Sequence, residues 1–119
     1  VARGLLPASV PHGDAAFTAG RSALLVAALT VAPEHLLAGT EDRLHQQYRA
    51  PAMTDSAELM TALRGRSLAA MISGAGPTVL VLTRDQHELE YVQDLVPDGW
   101  RCMAPGVAAR GGHIVPATR

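Results

Sequence analysis

Leu68-Ala69-Ala70-Met71-Ile72, then Ser73-Gly74-Ala75-Gly76-Pro77, then Thr78-Val79-Leu80-Val81-Leu82: this stretch decides the fold. Each apolar run is short and bounded by turn residues, so each predicts a buried strand. The five residues between them join the strands as a hairpin. Gly74 and Gly76 permit positive φ and a close approach of backbone. Such a loop is either a plain hairpin turn or a concavity of amides that receives an anion. No G-x-x-x-x-G-K-[ST] sequence occurs, so the loop is not a P-loop.

Upstream, Thr54 or Asp55 opens a helix that Gly65 stops, with Ala57, Leu59, Met60 and Leu63 as its buried stripe. Asp55 and Glu58 imitate a capping box. Further back, Thr40 caps a helical start, with Glu41 and Asp42 in its first turn and Leu44 and Tyr48 on one face. Pro33 to Leu37 reads as a short helix that Gly39 ends. Gly13 to Val31 is the strongest helix, its apolar face running Ala16, Ala19/Gly20, Ala23/Leu24, Ala27/Ala28 and Val31. Downstream, Asp85 caps a helix with Leu89, Val92, Leu95 and Val96 inward. Pro97-Asp98-Gly99 turns the chain into a strand over Trp100 to Ala104, and Ile114-Val115 is a weaker strand. The class is α+β: an antiparallel sheet of about four strands with helices packed on one face.

The 119 residues make one domain, 1–119, and 48% of them are apolar, enough for a modest core. A net charge of −1 gives no basic footprint for nucleic acid. Phe17, Tyr48, Tyr91 and Trp100 are the only aromatics, too few for a base-stacking platform. Cys102 is the single cysteine, which suits a reducing cytoplasm. The longest apolar stretch, Ala23 to Leu29, is too short to span a bilayer, so no membrane partner is expected. No signal peptide is visible, and a start at Val1 without methionine is expected of a fragment or a processed product.

The five histidines, His12, His35, His45, His87 and His113, have no metal-ligand spacing, so no metal site is expected from this chain. Ser73 does not sit in a G-x-S-x-G elbow. Cys102 in an apolar segment reads as structural. Glu41, Asp42, Asp85 and Glu88 read as helix-capping charges, so no catalytic residue is assigned. Arg3 and Arg49 stand out differently, because a guanidinium fork matches a carboxylate in two parallel hydrogen bonds.

Arg3-Gly4-Leu5-Leu6-Pro7, Val10-Pro11-His12-Gly13-Asp14-Ala15-Ala16-Phe17 and Ala19-Gly20-Arg21-Ser22-Ala23-Leu24-Leu25 resemble the homoserine kinase family, of actinobacterial type, within the GHMP kinases. Thr40-Glu41-Asp42-Arg43-Leu44-His45-Gln46, Tyr48-Arg49 and Ser73 to Thr78 continue the resemblance, which covers roughly Arg3 to Leu82. It implies the C-terminal α+β domain of an enzyme that transfers the γ-phosphoryl group of ATP to L-homoserine, in threonine biosynthesis. It implies Arg3 and Arg49 as ligands of the homoserine carboxylate. Ser73, Gly74, Ala75, Gly76 and Thr78 become the glycine-rich motif beside the phosphate site. ATP and Mg2+ would be held mainly by an N-terminal domain that this chain lacks, and the fragment alone would be inactive. A homodimer is left open.

Two other classes remain on the residues alone. One is a non-catalytic amino-acid-binding regulatory domain of ferredoxin-like type; the other is an assembly domain without a ligand. Magnesium-dependent ATP turnover by a longer product separates the kinase from both.

Overall fold

The computed structural model describes residues 3–112. Helix α1 runs His12–Thr30. A 3-10 turn at Pro33–His35 leads into the one-turn helix α2, Leu36–Gly39. A second one-turn helix, α3, is Gln46–Arg49, followed by a 3-10 turn at Ala50–Ala52. Helix α4 is Thr54–Arg64, strands β1 and β2 are Ala69–Ile72 and Val79–Leu82, and helix α5 is Gln86–Asp94. The strands pair antiparallel with Ala69 opposite Leu82 and Ile72 opposite Val79.

The α+β class and the hairpin stand, but among the described residues the sheet has two strands, not about four. Trp100 to Ala104 forms no strand, and Met103 in it is 65% exposed. Apolar residues make a strand only where a neighbour supplies hydrogen bonds, and no described strand pairs with this segment. The weaker strand at Ile114-Val115 lies outside the described residues.

The core has two adjoining parts. Leu63 of α4, Leu68 and Ala70 of the β1 segment and Val92 of α5 form one, with Leu59, Met60, Val79, Val81 and Leu95 against it. Ala28 of α1, Leu36 of α2 and Ala69 of β1 form the other, with Leu25 and Leu82. Full burial of a side chain the size of Leu63 contributes about 1.5–3 kcal/mol. The two parts meet across β1, because Ala69 and Ala70 point to opposite faces of the strand.

Helix α1 buries part of the face predicted for it, at Leu24, Ala27 and Ala28, and is turned toward Phe17 and Leu25 and away from the rest. Phe17, Leu24, Leu25 and Ala28 turn inward, whereas Ala16, Ala19 and Ala23 are exposed. The helix is apolar nearly all round, so both stripes have helical spacing and only the neighbouring elements choose between them. Gly39 explains the close approach of α2. A Cβ there would lie 2.9 Å from Leu25 Cα, so glycine serves packing as well as helix ending.

Capping also departs from expectation at two places. Thr40 closes the C-terminus of α2 rather than opening the next helix: its hydroxyl donates to the Leu36 and Leu37 carbonyls at 2.9 and 3.1 Å. Helix α4 starts at Met53 without a side-chain cap, since Asp55 lies inside the helix rather than ahead of it. At α5 the sequence reading holds. Asp85 accepts from the Glu88 amide at 2.8 Å, and Glu88 reaches back to the Arg84 amide at 2.7 Å.

Candidate functional site

The hairpin loop closes on itself first. The Ser73 amide donates to the Thr78 carbonyl at 2.8 Å, and the Gly76 amide donates to the Ser73 carbonyl at 3.0 Å. Gly74 and Gly76 take φ of 58° and 79°, the left-handed region in which glycine is at ease. Gly76–Pro77 is a cis peptide. A Cβ on Gly76 would come within 2.6 Å of Met53 Sδ and 3.2 Å of Ile72 Cγ2, whereas one on Gly74 would meet nothing within 4 Å. Gly76 is thus a packing position, and Gly74 sits at the open tip. The adjacent Gly74 and Ala75 amides bond no described residue, and both residues are exposed. Two adjacent amides remain of the anion-binding reading of the loop; the other half of the concavity is not made by these residues.

Three elements grip this loop from outside. From α4, the Ser56 hydroxyl donates to the Pro77 carbonyl at 2.6 Å. From α3, Gln46 Oε1 accepts the Ile72 amide at 2.8 Å, and Arg49 Nη1 donates to the Gly74 carbonyl at 3.1 Å. Met53, between α3 and α4, fills the space beneath Gly76. Ser56 is buried at 2% exposure, so its hydrogen bond is not exchanged for water.

A helix of one turn cannot hold itself together in water. Asp42 holds α3. Its carboxylate accepts the amides of Leu44, His45 and Gln46 at 3.2, 2.7 and 2.7 Å, and pairs with His45 Nδ1 at 3.0 Å. Burial pushes the Asp42 carboxyl up. The hydrogen bonds from Gln46, the His45 ring and the His45 and Leu44 amides together outweigh that, and leave it below its ordinary value. The segment before α3 is tied to α1. The Arg43 amide donates to Thr18 Oγ1 at 3.2 Å, the Arg43 guanidinium lies 3.7 Å over the Phe17 ring, and it pairs with Asp14 at 3.3 Å. Arg21 Nε lies 3.1 Å from Glu41 Oε2 with an angle unsuited to a hydrogen bond, so this contact is an ion pair only.

Beneath the site, Arg64 joins three elements. Its Nη1 donates to Thr40 Oγ1 and to the Ala70 carbonyl, both at 2.9 Å, and its Nη2 donates to the Leu37 carbonyl at 2.8 Å. Burial lowers its pKa, opposed by the Glu41 charge. A cleft of about 370 Å³ opens between Phe17, the 40–47 segment and α4, with Arg64, Met60 and Thr61 on its floor.

The structure therefore brings Arg49 to the glycine loop. Ser73, Gly74, Ala75, Gly76 and Thr78 lie together in that loop, as adjacency in sequence dictates. Arg3 lies exposed in a turn whose backbone carbonyl accepts the Leu6 amide at 3.2 Å. Sequence reasoning missed Gln46, Ser56 and Arg64. Only polarity inside apolar helical stripes could have flagged Ser56 and Arg64, and nothing local marks Gln46. Among the described residues no group of three or more acidic, histidine or cysteine side chains could hold a metal ion. No described helix is long and apolar enough to cross a membrane.

The fold and loop define an α+β domain that carries a glycine hairpin with an arginine seated on its tip. Comparison with known proteins shows which proteins the chain resembles. Homoserine kinase of Streptomyces avermitilis is 56% identical over 115 residues, 97% of this chain and 37% of that protein. Homoserine kinase of Streptomyces coelicolor is 54% identical over the same shares, and that of Clavibacter michiganensis 48% identical over 96% of this chain. No protein-family model matches the chain. The chain is a homologue of the homoserine kinases, corresponding to their C-terminal part, and it spans about a third of the length of the curated relatives it matches.

Proposed function

We propose that this chain is the substrate-side portion of an ATP-dependent homoserine kinase, an enzyme that yields O-phospho-L-homoserine and ADP on the way to threonine in the cytoplasm. The observation that carries the reading is Arg49, a side chain singled out as a carboxylate ligand, seated on the Gly74 carbonyl at the tip of the glycine loop. The relatives named homoserine kinase support it at 44–56% identity over most of the chain.

Phosphoryl transfer depends on positioning and on stabilising charge rather than on covalent chemistry by the protein. In this reading Arg49 and Arg3 hold the homoserine carboxylate. That places the distant hydroxyl beyond the loop, toward the nucleotide. The exposed Gly74 and Ala75 amides face the phosphate side and stabilise negative charge there. Asp42, Gln46 and Ser56 act at one remove. Asp42 builds α3, and Gln46 and Ser56 hold the loop in register with it. In this reading Mg2+ and most nucleotide contacts belong to the N-terminal part.

The test is direct. The longer protein encoded from upstream of Val1 should form O-phosphohomoserine from ATP and L-homoserine, and the 119-residue chain should not. Robust homoserine-dependent ATP consumption by the short chain, or none by the long one, overturns the reading.

A further inference from the structure

The chain has four methionines, and the structure sets one of them beneath the glycine loop. A Cβ on Gly76 would lie 2.6 Å from Met53 Sδ and 2.8 Å from its Cε, so the thioether is flush against the loop with no space between them. The others lie elsewhere. Met60 packs against the core cluster of Leu63 and Leu68, Met71 sits in β1 opposite Leu80, and Met103 is 65% exposed beyond α5.

Met53 is pinned where it stands. Its amide donates to the Ala50 carbonyl at 3.0 Å, and its carbonyl accepts the Ala57 amide at 3.0 Å. The backbone cannot withdraw without opening the first turn of α4. On one side of it in sequence Arg49 donates to the Gly74 carbonyl, and on the other Ser56 donates to the Pro77 carbonyl. Met53 is thus the apolar seat between two polar ties to the same loop.

That seat suits a thioether and not its oxide. A thioether is soft and apolar. A methionine sulfoxide is polar, and its oxygen calls for a donor. The donors around Gly76 are already committed: the Gly76 amide to the Ser73 carbonyl, the Ser73 amide to the Thr78 carbonyl, and the Ser56 hydroxyl to the Pro77 carbonyl. An oxygen on Sδ either breaks one of these bonds or turns to water, and each course lifts Gly76 off its seat. Met53 is half-buried, so a small oxidant reaches the sulfur.

We propose that Met53 is an oxidation site through which a peroxide unseats the glycine loop. A sulfur lone pair attacks one oxygen of hydrogen peroxide. An S–O bond forms and the O–O bond breaks. The proton on the attacked oxygen passes to the departing hydroxide, which leaves as water. The thioether gives up two electrons in becoming the sulfoxide, and the peroxide takes them. A methionine sulfoxide reductase reverses the change. Gly74 carries the carbonyl on which Arg49 rests, so displacing the loop weakens homoserine binding. This last consequence rests on the kinase reading; the oxidation and the loop movement do not.

The longer protein, treated with graded hydrogen peroxide, tests this. Peptide mass spectrometry reads oxidation at each methionine, beside kcat/KM for homoserine and the amide NMR signals of Gly74 and Gly76. As Met53 is oxidised, kcat/KM should fall by about ten- to a hundredfold, the scale of a misplaced substrate contact. Both amide signals should shift in step, and the reductase should restore signals and rate together. Met53→Leu, close in volume, should hold its own untreated kcat/KM under peroxide. Met103→Leu and Cys102→Ser should lose theirs as the unaltered protein does. Full oxidation of Met53 with unmoved Gly74 and Gly76 signals overturns the proposal. So does a Met53 that stays reduced while Met103 is fully oxidised, or a Met53→Leu variant as sensitive as the unaltered protein. The functional reading fails separately: a longer protein without homoserine-dependent turnover refutes the kinase, and the two amide signals still decide Met53.

Discussion

Replacing Arg64 by methionine should lower stability more than any other exchange of a charged residue outside the loop. Methionine keeps the apolar stem and removes the guanidinium. Three hydrogen bonds disappear, at 2.9, 2.9 and 2.8 Å, and the Ala70 and Leu37 carbonyls lose the donor that satisfied them. A hydrogen bond from a charged donor is worth about 1.5–3 kcal/mol, and an unsatisfied buried acceptor costs about 1–3 kcal/mol. The three bonds share one cation and cannot be summed. Removing the cation also relieves the desolvation that lowers its pKa. A net loss of about 3 kcal/mol remains, much of the stability of a small domain. On a urea slope of about 1.5 kcal/mol per molar, the unfolding midpoint falls by about 2 M. Arg64→Lys should fall between, because a point charge cannot bridge three acceptors in a fixed fork. Arg66→Met is the control: its one bond, to the Ala62 carbonyl, is 3.4 Å long and exposed, so the change stays within about 0.5 kcal/mol. An Arg64→Met midpoint shift no larger than that of Arg66→Met refutes the assignment of Arg64 as the tie between α2, α4 and β1.

Three further outcomes are expected. Gly76→Ala should destabilise by about 1–3 kcal/mol and be partly rescued by Met53→Ala, since its Cβ meets Met53; Gly74→Ala carries only the positive-φ cost of about 1 kcal/mol, which thermal unfolding of the three variants separates. Asp42 has a folded pKa below its unfolded value of 3.8, so the stability it adds is present above that value and is lost as pH falls through the folded one; Asp42→Asn should flatten that acid limb in a pH series of urea midpoints. Arg49→Lys in the longer protein should raise KM for homoserine about ten- to a hundredfold while leaving KM for ATP nearly unchanged, and an equal rise in both would return Arg49 to a purely structural role.

The loop that organises the domain was legible because its signals are local. Glycines with positive φ, a bounded apolar run on each side and a Ser-to-Thr closure all fall within fifteen residues. The Asp85 cap was legible for the same reason. The face of α1 was legible only in part, because Phe17 and Leu25 compete with an alanine stripe that shares just Leu24, Ala27 and Ala28 with the buried face, and α2 settles the choice through Gly39 against Leu25. Nor was the true role of Thr40, which closes the end of α2 on the Leu36 and Leu37 carbonyls and accepts from Arg64 across the core instead of opening the next helix.

By itself, then, the amino-acid sequence determined the α+β class, the hairpin with its glycine tip, most helix positions and the kinship with homoserine kinases. These depend on short-range periodicity, turn chemistry and residue order. Tertiary structure alone decided which groups close on the loop. Gln46 reaches Ile72, Arg49 reaches Gly74 and Ser56 reaches Pro77 across separations of 26, 25 and 21 residues. It also decided the number of strands, because a strand exists only where a neighbour supplies its hydrogen bonds. No pattern within a single segment contains that partner.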